Sequence, residues 1–520
     1  MVRTKKIIVL ILGFFIFLGI LNIGTNLWLK LKLPEIINKK NDSDYIISYK
    51  DIDLSLWSSK IVIHEISLVP KNNLEKTKKK IGIYAAVSKI QIDDFKILSI
   101  LFGKKIKAKK LTISTPNIVL YKNSQNVINN AKNITSKVIK PFEKVIIVSD
   151  IFLNDGKLKI VNNETNQNLA SVKNINLNIE GIVLNEETLT QKIPISYKNY
   201  ILICDSIFYQ INEFYTIKMQ KIVATDSTFN LEKFELLPKY TRKQFVQKIP
   251  KEKDLFTIKA NEIISNKIQW GFLKDDFYFK TSTIQIDALD ANIYRGKMPE
   301  DDLSKKKLYN RLLRELQFDL KVDSLQIKNS KLVYEEEKTF EEGPGKLVFS
   351  DFNMNVLNIQ SGFKKTKLLD TKIDIKCNFM NESILDVNWK FNVLDKSDGF
   401  TIKGKILNFN TEQLAYFTKP YINVVIKGTL DKVYFNFSGN DISSKGDFAL
   451  KYDDLKVEIF QNEKRHKINK FLSAIGNFFI RDDSGETLKT TEIEVKRTQE
   501  KSFYNFLWIS IAEGLKKILI

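Results

Sequence analysis

Histidine, cysteine and paired carboxylates are the groups with which this chain could do chemistry, and each is scarce or badly spaced. There are two histidines in 520 residues, His64 in KIVIHEISL and His466 in RHK. They form neither a triad nor HExxH. His64 follows Ile61 and Ile63 in an alternating run, so it falls on the opposite face of that strand. GFTIKGKI, from Gly399 to Ile406, has the spacing GxxxxGK. A phosphate-binding loop needs Ser or Thr after the lysine to reach magnesium, and Ile406 stands there. EEGPGK, from Glu341 to Lys346, reads as a tight turn. Asp93/Asp94, Asp301/Asp302 and Asp453/Asp454 are adjacent pairs. Neighbours on a strand point to opposite faces, which rules out shared acid–base work. Cys204 and Cys377 lie far apart with no CxxC, so neither a zinc site nor a disulfide framework is indicated. Two buried thiols, no metal, no cofactor and no enzymatic activity are the expectation.

The net charge of +21 admits two classes of partner, nucleic acid or anionic lipid. The lysines are spread along the chain, and no RNP-type aromatic strand or zinc-finger spacing accompanies them. A membrane partner is therefore expected, and no nucleic acid. Hydrophobic residues are 43%, while Gly and Pro number 20 and 10, which excludes a disordered or collagen-like chain.

MVRTKK precedes an apolar stretch from Ile7 to about Leu29. About 20 apolar residues cross ~30 Å of hydrocarbon, so this stretch is long enough to span. Arg3, Lys5 and Lys6 favour a cytoplasmic N-terminus. The exit NIGTNLWLKLKLP has no A-x-A-like site, which favours a retained anchor over a cleaved signal. The expected division is a cytoplasmic tail over 1–6 and a transmembrane helix over 7–29. A repetitive β region over 30–320, a second β region with short helices over 321–500 and an amphipathic helix over 501–520 follow.

The body is dominated by period-2 alternation, the mark of a sheet with one apolar face. One unit recurs: two alternating apolar positions, a small or turn residue, then two more. It reads Leu54, Leu56, Ser59, Ile61, Ile63; Leu111, Ile113, Pro116, Ile118, Leu120; and Ile151, Leu153, Gly156, Leu158, Ile160. It recurs as Ile222, Ala224, Ser227, Phe229, Leu231 and as Leu325, Ile327, Ser330, Leu332, Tyr334, with a weaker copy at Ile286, Ala288, Ala291, Ile293. Asp, Asn, Ser, Gly and Pro sit where turns need them. Each copy is expected to be a hairpin or a bulged corner, with both flanking pairs on one face. The irregular intervals exclude a solenoid of fixed period.

Helices are expected over Asp93–Lys105, over Asp301–Leu316 with Leu308, Leu312 and Leu316 as its stripe, over Thr411–Pro420 and over His466–Ile480. Stretches at about 70–80, 122–142, 238–255 and 360–368 read as loops. In the C-terminal helix, Phe503, Phe506, Leu507, Leu515 and Ile518 form an apolar face with Trp508 nearby and Lys516 and Lys517 opposite. Two readings stay open for it: a helix lying in a membrane interface, or one packed on the protein's own sheet.

Four stretches make the chain resemble the AsmA-like family of bacterial envelope proteins. They are the anchor followed by DYIISYKDIDLSLWSSKIVIHEISL, the run IDDFKILSILFGKKIKAKKLTISTPNIVLYKN, the run VVIKGTLDKVYFNFSGNDISSKGDFALKYDDLKVEI and the amphipathic end. The resemblance covers both ends well and the middle only through the repeated unit. It implies an elongated, twisted antiparallel β-sheet forming an apolar groove, held in the inner membrane with its bulk in the periplasm. It also implies binding or conduction of phospholipid between membranes. The groove would be lined by Leu54, Leu56, Ile61, Ile63, Leu111, Ile113, Ile118, Leu120, Ile151, Leu153, Leu158, Ile160, Leu325, Ile327 and Leu332. The rival readings are a scaffold or outer-membrane assembly factor whose sheet edges bind envelope proteins, and an outer-membrane barrel. The anchor and the charge spread over loops and strands argue against the barrel.

Overall fold

The computed structural model describes residues 45–71, 81–96, 106–122, 146–183, 196–460 and 487–520, with residues 23, 24, 27, 188, 192 and 485 beside them. The expected membrane span and the helix expected over 466–480 lie outside these residues, apart from residues 23, 24 and 27. Among the described residues no helix is long and apolar enough to cross a membrane. The chain is mainly β, and its sheets are mixed, not purely antiparallel as expected. It divides into two compact units, residues 1–210 with 219–226, and residues 211–218 with 227–520.

Unit 1 holds β1 (Tyr45–Ser48), β2 (Asp51–Ser55), β3 (Lys60–Pro70), β4 (Gly82–Asp93), β5 (Ile106–Ser114), β6 (Asn117–Lys122), β7 (Ile146–Asn162), β8 (Asn168–Glu180) and β9 (Asn199–Gln210). β10 (Tyr215–Thr225) runs through the division between the units. The first repeated unit is a true hairpin: Ser55 pairs with Lys60, and Ser59 takes a left-handed φ of 47°. The next two are not hairpins. β5 and β6 form one strand bent at Thr115–Pro116, antiparallel to β4 on one side and parallel to β7 on the other. β7 bends at Asp155–Gly156 beside that corner. Thr115 N donates to Asn154 O at 2.8 Å, and Lys157 N donates to Pro116 O at 2.7 Å. Parallel neighbours need a long crossover, which no two-residue turn can supply.

Unit 2 holds β11 (Thr228–Pro238), β12 (Asp254–Asn266), β13 (Gln269–Leu273), β14 (Asp276–Asp287), β15 (Asp290–Gly296), β16 (Asp319–Glu337), β17 (Gly345–Gln360) and β18 (Thr371–Phe379). β19 (Ser383–Phe391), β20 (Phe400–Asn410), β21 (Val424–Gly439), β22 (Ser443–Ile459) and β23 (Lys489–Lys496) follow as an antiparallel run. Its first part repeats the corner of unit 1 and the strand order around it. Ala288 N donates to Lys328 O at 3.0 Å and Lys331 N to Leu289 O at 2.7 Å, as at the corner of β5–β7. The break in pairing in β3 at Glu65 recurs at Lys233 of β11, each a left-handed residue skipped without a change of register. Asp155 N donates to Asn176 Oδ1, and Asn329 N to Asn353 Oδ1. β3–β9 and β11–β18 are thus two copies of one module, β14–β15 standing for β5–β6. This frame shifts the weak sixth repeat: its apolar positions are Ile284, Ile286, Leu289, Ala291 and Ile293, with Ala288 at the left-handed corner.

The core of unit 2 lies under α4 (Phe503–Leu519), whose Ser502 cap accepts a hydrogen bond from Asn505 N. Phe503, Phe506, Ser510, Gly514 and Ile518 form its buried face. They meet Trp389, Ile402, Phe437, Phe448 and Ile493 from five strands. The Phe503 and Trp389 rings stack with centroids 4.4 Å apart. Of the two readings left open for this helix, the structure shows the packed one for Phe503, Phe506 and Ile518.

Three shorter helices depart from expectation. α1 (Arg242–Lys248) arises in a stretch read as loop, closed by a capping box between Thr241 and Gln244 and burying Phe245 and Val246. α2 (Tyr309–Arg314) replaces the long helix expected over 301–316. The Asp302 carboxylate accepts from Ser304 N and binds Lys306, holding the first half out of helix. Leu308 is buried, but Leu312 is 48% exposed, so the expected stripe is broken. α3 (Ala415–Ile422) follows a 3-10 turn at Thr411–Leu414 and runs past Pro420 to a left-handed Asn423. Of the helix expected over 93–105, Asp93 belongs to β4 and residues 97–105 lie outside the described residues.

Candidate functional site: the apolar face of unit 1

Directly paired residues on neighbouring strands share a face of the sheet. In unit 1 this rule assembles apolar rows that cross strand after strand. The first is Leu54, Ile61, Ile92, Leu111, Ile151, Ile179 and Tyr200, from β2 through β9. The second is Ile52, Ile63, Ile90, Ile113, Leu153, Leu177 and Leu202. Beyond the corner come Ile47, Leu68, Ala85, Ile118, Leu158 and Val172, then Ile83, Leu120, Ile160, Ala170 and Tyr209. The row on the reverse face beside the first reads Asp53, Val62, Gln91, Thr112, Phe152, Asn178, Ile201. Most of its members are polar, so the two faces differ in kind.

The corner keeps the rows on one face. A Cβ added to Gly156 would lie 2.7 Å from Leu153 Cδ2 and 3.3 Å from both Pro116 Cγ and Ile175 Cβ. The Gly156 face is therefore the face of Leu153, Pro116 and Ile175. The left-handed residue before it takes up the extra position of a bulge, so alternation resumes on the same side.

The first row is closed at one end. Ile52, Leu54, Ile61, Ile92 and Phe95 form a small buried cluster, with Leu56, Ile63 and Leu111 against it. Across Ile113, Leu153, Ile118, Leu158, Leu120 and Ile160 the side chains are only half-buried, and no described element of unit 1 packs over them. Eleven of the twelve groove residues expected from unit 1 thus fall on this one face, and Leu56 lies in the β2–β3 turn against the small cluster. Sequence reading missed Ile90, Ile92, Ile175, Leu177 and Leu202, which complete the face. Their alternation was legible, but they carry no turn motif.

The three expected residues of unit 2 sit differently. Leu325 packs against the core under α4, Ile327 is buried, and Leu332 is half-buried opposite Phe349. Here the same kind of row, continued by Val356, Ile373, Trp389, Ile402 and Phe437, is covered by the chain's own helix. Trp508 on α4 is 57% exposed, while Leu507 and Leu515 pack against the core.

The polar candidates are structural. His64 Nε2 lies 3.8 Å from Asp53 Oδ2 at the surface, on the reverse face. Gly404 of the GxxxxGK spacing sits inside β20 beneath the Phe435 ring, 2.1 Å from where its Cβ would be, so its smallness serves packing. Both cysteines are buried and free. Burial, with the neighbouring Asp205 carboxylate, pushes the Cys204 thiol up. Burial pushes Cys377 up to about 12. Among the described residues no group of three or more His, Cys, Asp or Glu is arranged to hold a metal ion.

Compared with known proteins, the chain matches no family model and no curated sequence.

Proposed function

We propose that this chain is a membrane-anchored, non-enzymatic lipid-binding protein of a bacterial cell envelope, with the apolar face of unit 1 as the surface that takes acyl chains. The half-buried rows carry the proposal. Large contiguous apolar patches on a folded protein mark a surface that meets something apolar. Keeping acyl chains from water contributes ~0.8 kcal/mol per CH₂ and needs no directional chemistry. The row pattern suits a linear ligand, since apolar contacts repeat from strand to strand without a polar break. The basic apolar N-terminus supports an inner-membrane anchor, and the resemblance to AsmA-like proteins supports phospholipid as the cargo.

The test is lipid analysis of the full chain after mild extraction and a delipidating wash, read by native mass spectrometry. Bound phospholipid in fixed ratio is expected. It should be lost in Ile113→Asp, Leu153→Asp and Leu158→Asp variants whose circular dichroism is unchanged. A folded, lipid-free chain would remove the lipid reading and leave the scaffold reading, with envelope proteins as partners.

A further inference from the structure

The apolar rows of unit 2 are not covered by α4 along their whole length. On β11, β12 and β14 one row reads Leu231, Ile263 and Ile286. Beyond the corner, Ile258 pairs with Ala291 and Phe256 with Ile293. Ile258, Ile263, Ile286 and Ile293 are half-buried, and none of the four belongs to the core under α4 or to the cluster under α1. Two residues past Ile293, on the same face, the row turns charged: Asp254, Arg295 and Glu336 lie side by side on β12, β15 and β16. Arg295 Nε donates to Asp254 Oδ1 at 2.7 Å. Glu336 accepts from Tyr334 Oη at 2.8 Å and from Tyr421 Oη of α3 at 2.7 Å. The Arg295 and Asp254 side chains are 26% and 27% exposed. Among the described residues, neither Nη of Arg295 nor Oδ2 of Asp254 has a hydrogen-bond partner. A guanidinium fork and a carboxylate oxygen are thus open at the end of an apolar strip. The equivalent positions of unit 1 are Ile81, Lys122 and Asn162, which cannot form such a pair.

We propose that unit 2 carries a second lipid site, with acyl chains along Ile263, Ile286 and Ile293 and a zwitterionic head group at Arg295 and Asp254. The order of apolar strip and charged row matches the order of tail and head in an amphipathic lipid. An arginine fork suits the two free oxygens of a phosphodiester. The Asp254 carboxylate beside it suits an ammonium one short linker away. The charges around the row are balanced, which decides for a zwitterion over an anion. Arg295 and Lys338, whose Nζ lies 4.6 Å from the Tyr421 ring centroid, stand against Asp254 and Glu336. The nearby Glu252 is held by Lys297. A purely anionic head group would meet two carboxylates. The inference rests on the reading of lipid as the ligand of these apolar faces, and adds to it a place and a head-group class.

The experiment is native mass spectrometry of the full chain, equilibrated in micelles with equal amounts of phosphatidylethanolamine and phosphatidylglycerol. The mass of each bound lipid identifies its head group. With the unit 1 face blocked by Ile113→Asp and Leu153→Asp, the chain should keep one lipid, phosphatidylethanolamine several-fold over phosphatidylglycerol. Adding Ile286→Asp should remove it. Adding Arg295→Gln with Asp254→Asn takes away both charges, so that neither is left alone. That variant should keep the lipid and bring the head-group ratio to that of the mixture. In the chain without the unit 1 changes, Ile286→Asp should lower the lipid count by one, which tests the site even where the blocked chain does not fold. A blocked, folded chain free of lipid would overturn the second site and leave that of unit 1 standing. A bound lipid with the head-group ratio of the mixture, or a preference that survives Arg295→Gln with Asp254→Asn, would overturn the head-group site. A chain free of lipid before any substitution would remove both readings.

Discussion

Gly514 of α4 lies against the ring of Phe448 on β22: a Cβ at this glycine would come within 2.3 Å of Phe448 Cγ. The helix can settle on its strands only because that side chain is missing. Gly514→Val should cost ~1–3 kcal/mol through overpacking, seen as a lower midpoint of denaturant unfolding. An unchanged midpoint would mean that α4 does not seat where described.

The Trp389–Phe503 stack joins β19 to the first turn of α4. Removing it by Trp389→Ala should cost ~3–5 kcal/mol, the range for large aromatic truncations in a core. Phe503→Leu should cost much less. A Trp389→Ala loss below ~1 kcal/mol would contradict a packed stack at this position.

Arg314 donates to the carbonyls of Val393 at 2.9 Å and Asp395 at 2.7 Å and to Asp398 Oδ1 at 2.6 Å. Asp398 is nearly fully buried. Asp398→Ala leaves the guanidinium without its countercharge and should cost ~3 kcal/mol. Thermal unfolding at neutral pH is the measurement, and a loss too small to detect would show the pair to be dispensable.

Thiol labelling checks the cysteines. Cys377, with its thiol pushed up from 9.0 to about 12, favours the protonated form in the fold. That contribution to stability is complete below pH 9 and is lost as pH rises through about 12. At neutral pH a maleimide should react with Cys377 at the rate of unfolding, and denaturant should release it. Fast reaction in the native state would count against burial.

The corners can be tested one residue at a time. Asn329 holds φ at 52°. Asn329→Gly should be neutral or mildly stabilising, and Asn329→Val should cost ~1–2 kcal/mol, because a β-branched residue fits that region poorly. Matching stabilities for both variants would remove the left-handed corner.

Much of the apolar face was legible. Period-2 alternation and the Pro116 and Gly156 positions indicated that Ile113 and Ile118, or Leu153 and Leu158, share a side. The partner of each strand was not legible. A local pattern fixes where a strand bends, whereas parallel pairing of β5–β6 with β7 is set by a crossover whose sequence carries no such signal. The duplicated module escaped notice because equivalent positions keep a class and not an identity: Thr115 answers to Ala288, Gly156 to Ser330. The stripe on α4 was visible in Phe503, Phe506 and Ile518. What it would cover was not, since an apolar stripe is the same whether a lipid or a sheet lies beneath it. α1 had a readable capping box at Thr241 and Gln244, but its seven residues are too few for a periodic signal.

The bend at Thr115–Pro116 also acts as a lock on strand slippage. If β5–β6 slid by one residue toward its N-terminus, Pro116 would have to occupy the left-handed position, and its ring fixes φ near −65°. Slid the other way, the strand would put Ser114 there and turn Ile113 and its row toward the charged side. Misaligned pairings, the usual hazard of a sheet with so many similar strands, are thereby penalised at the one place where the neighbouring β7 must also turn.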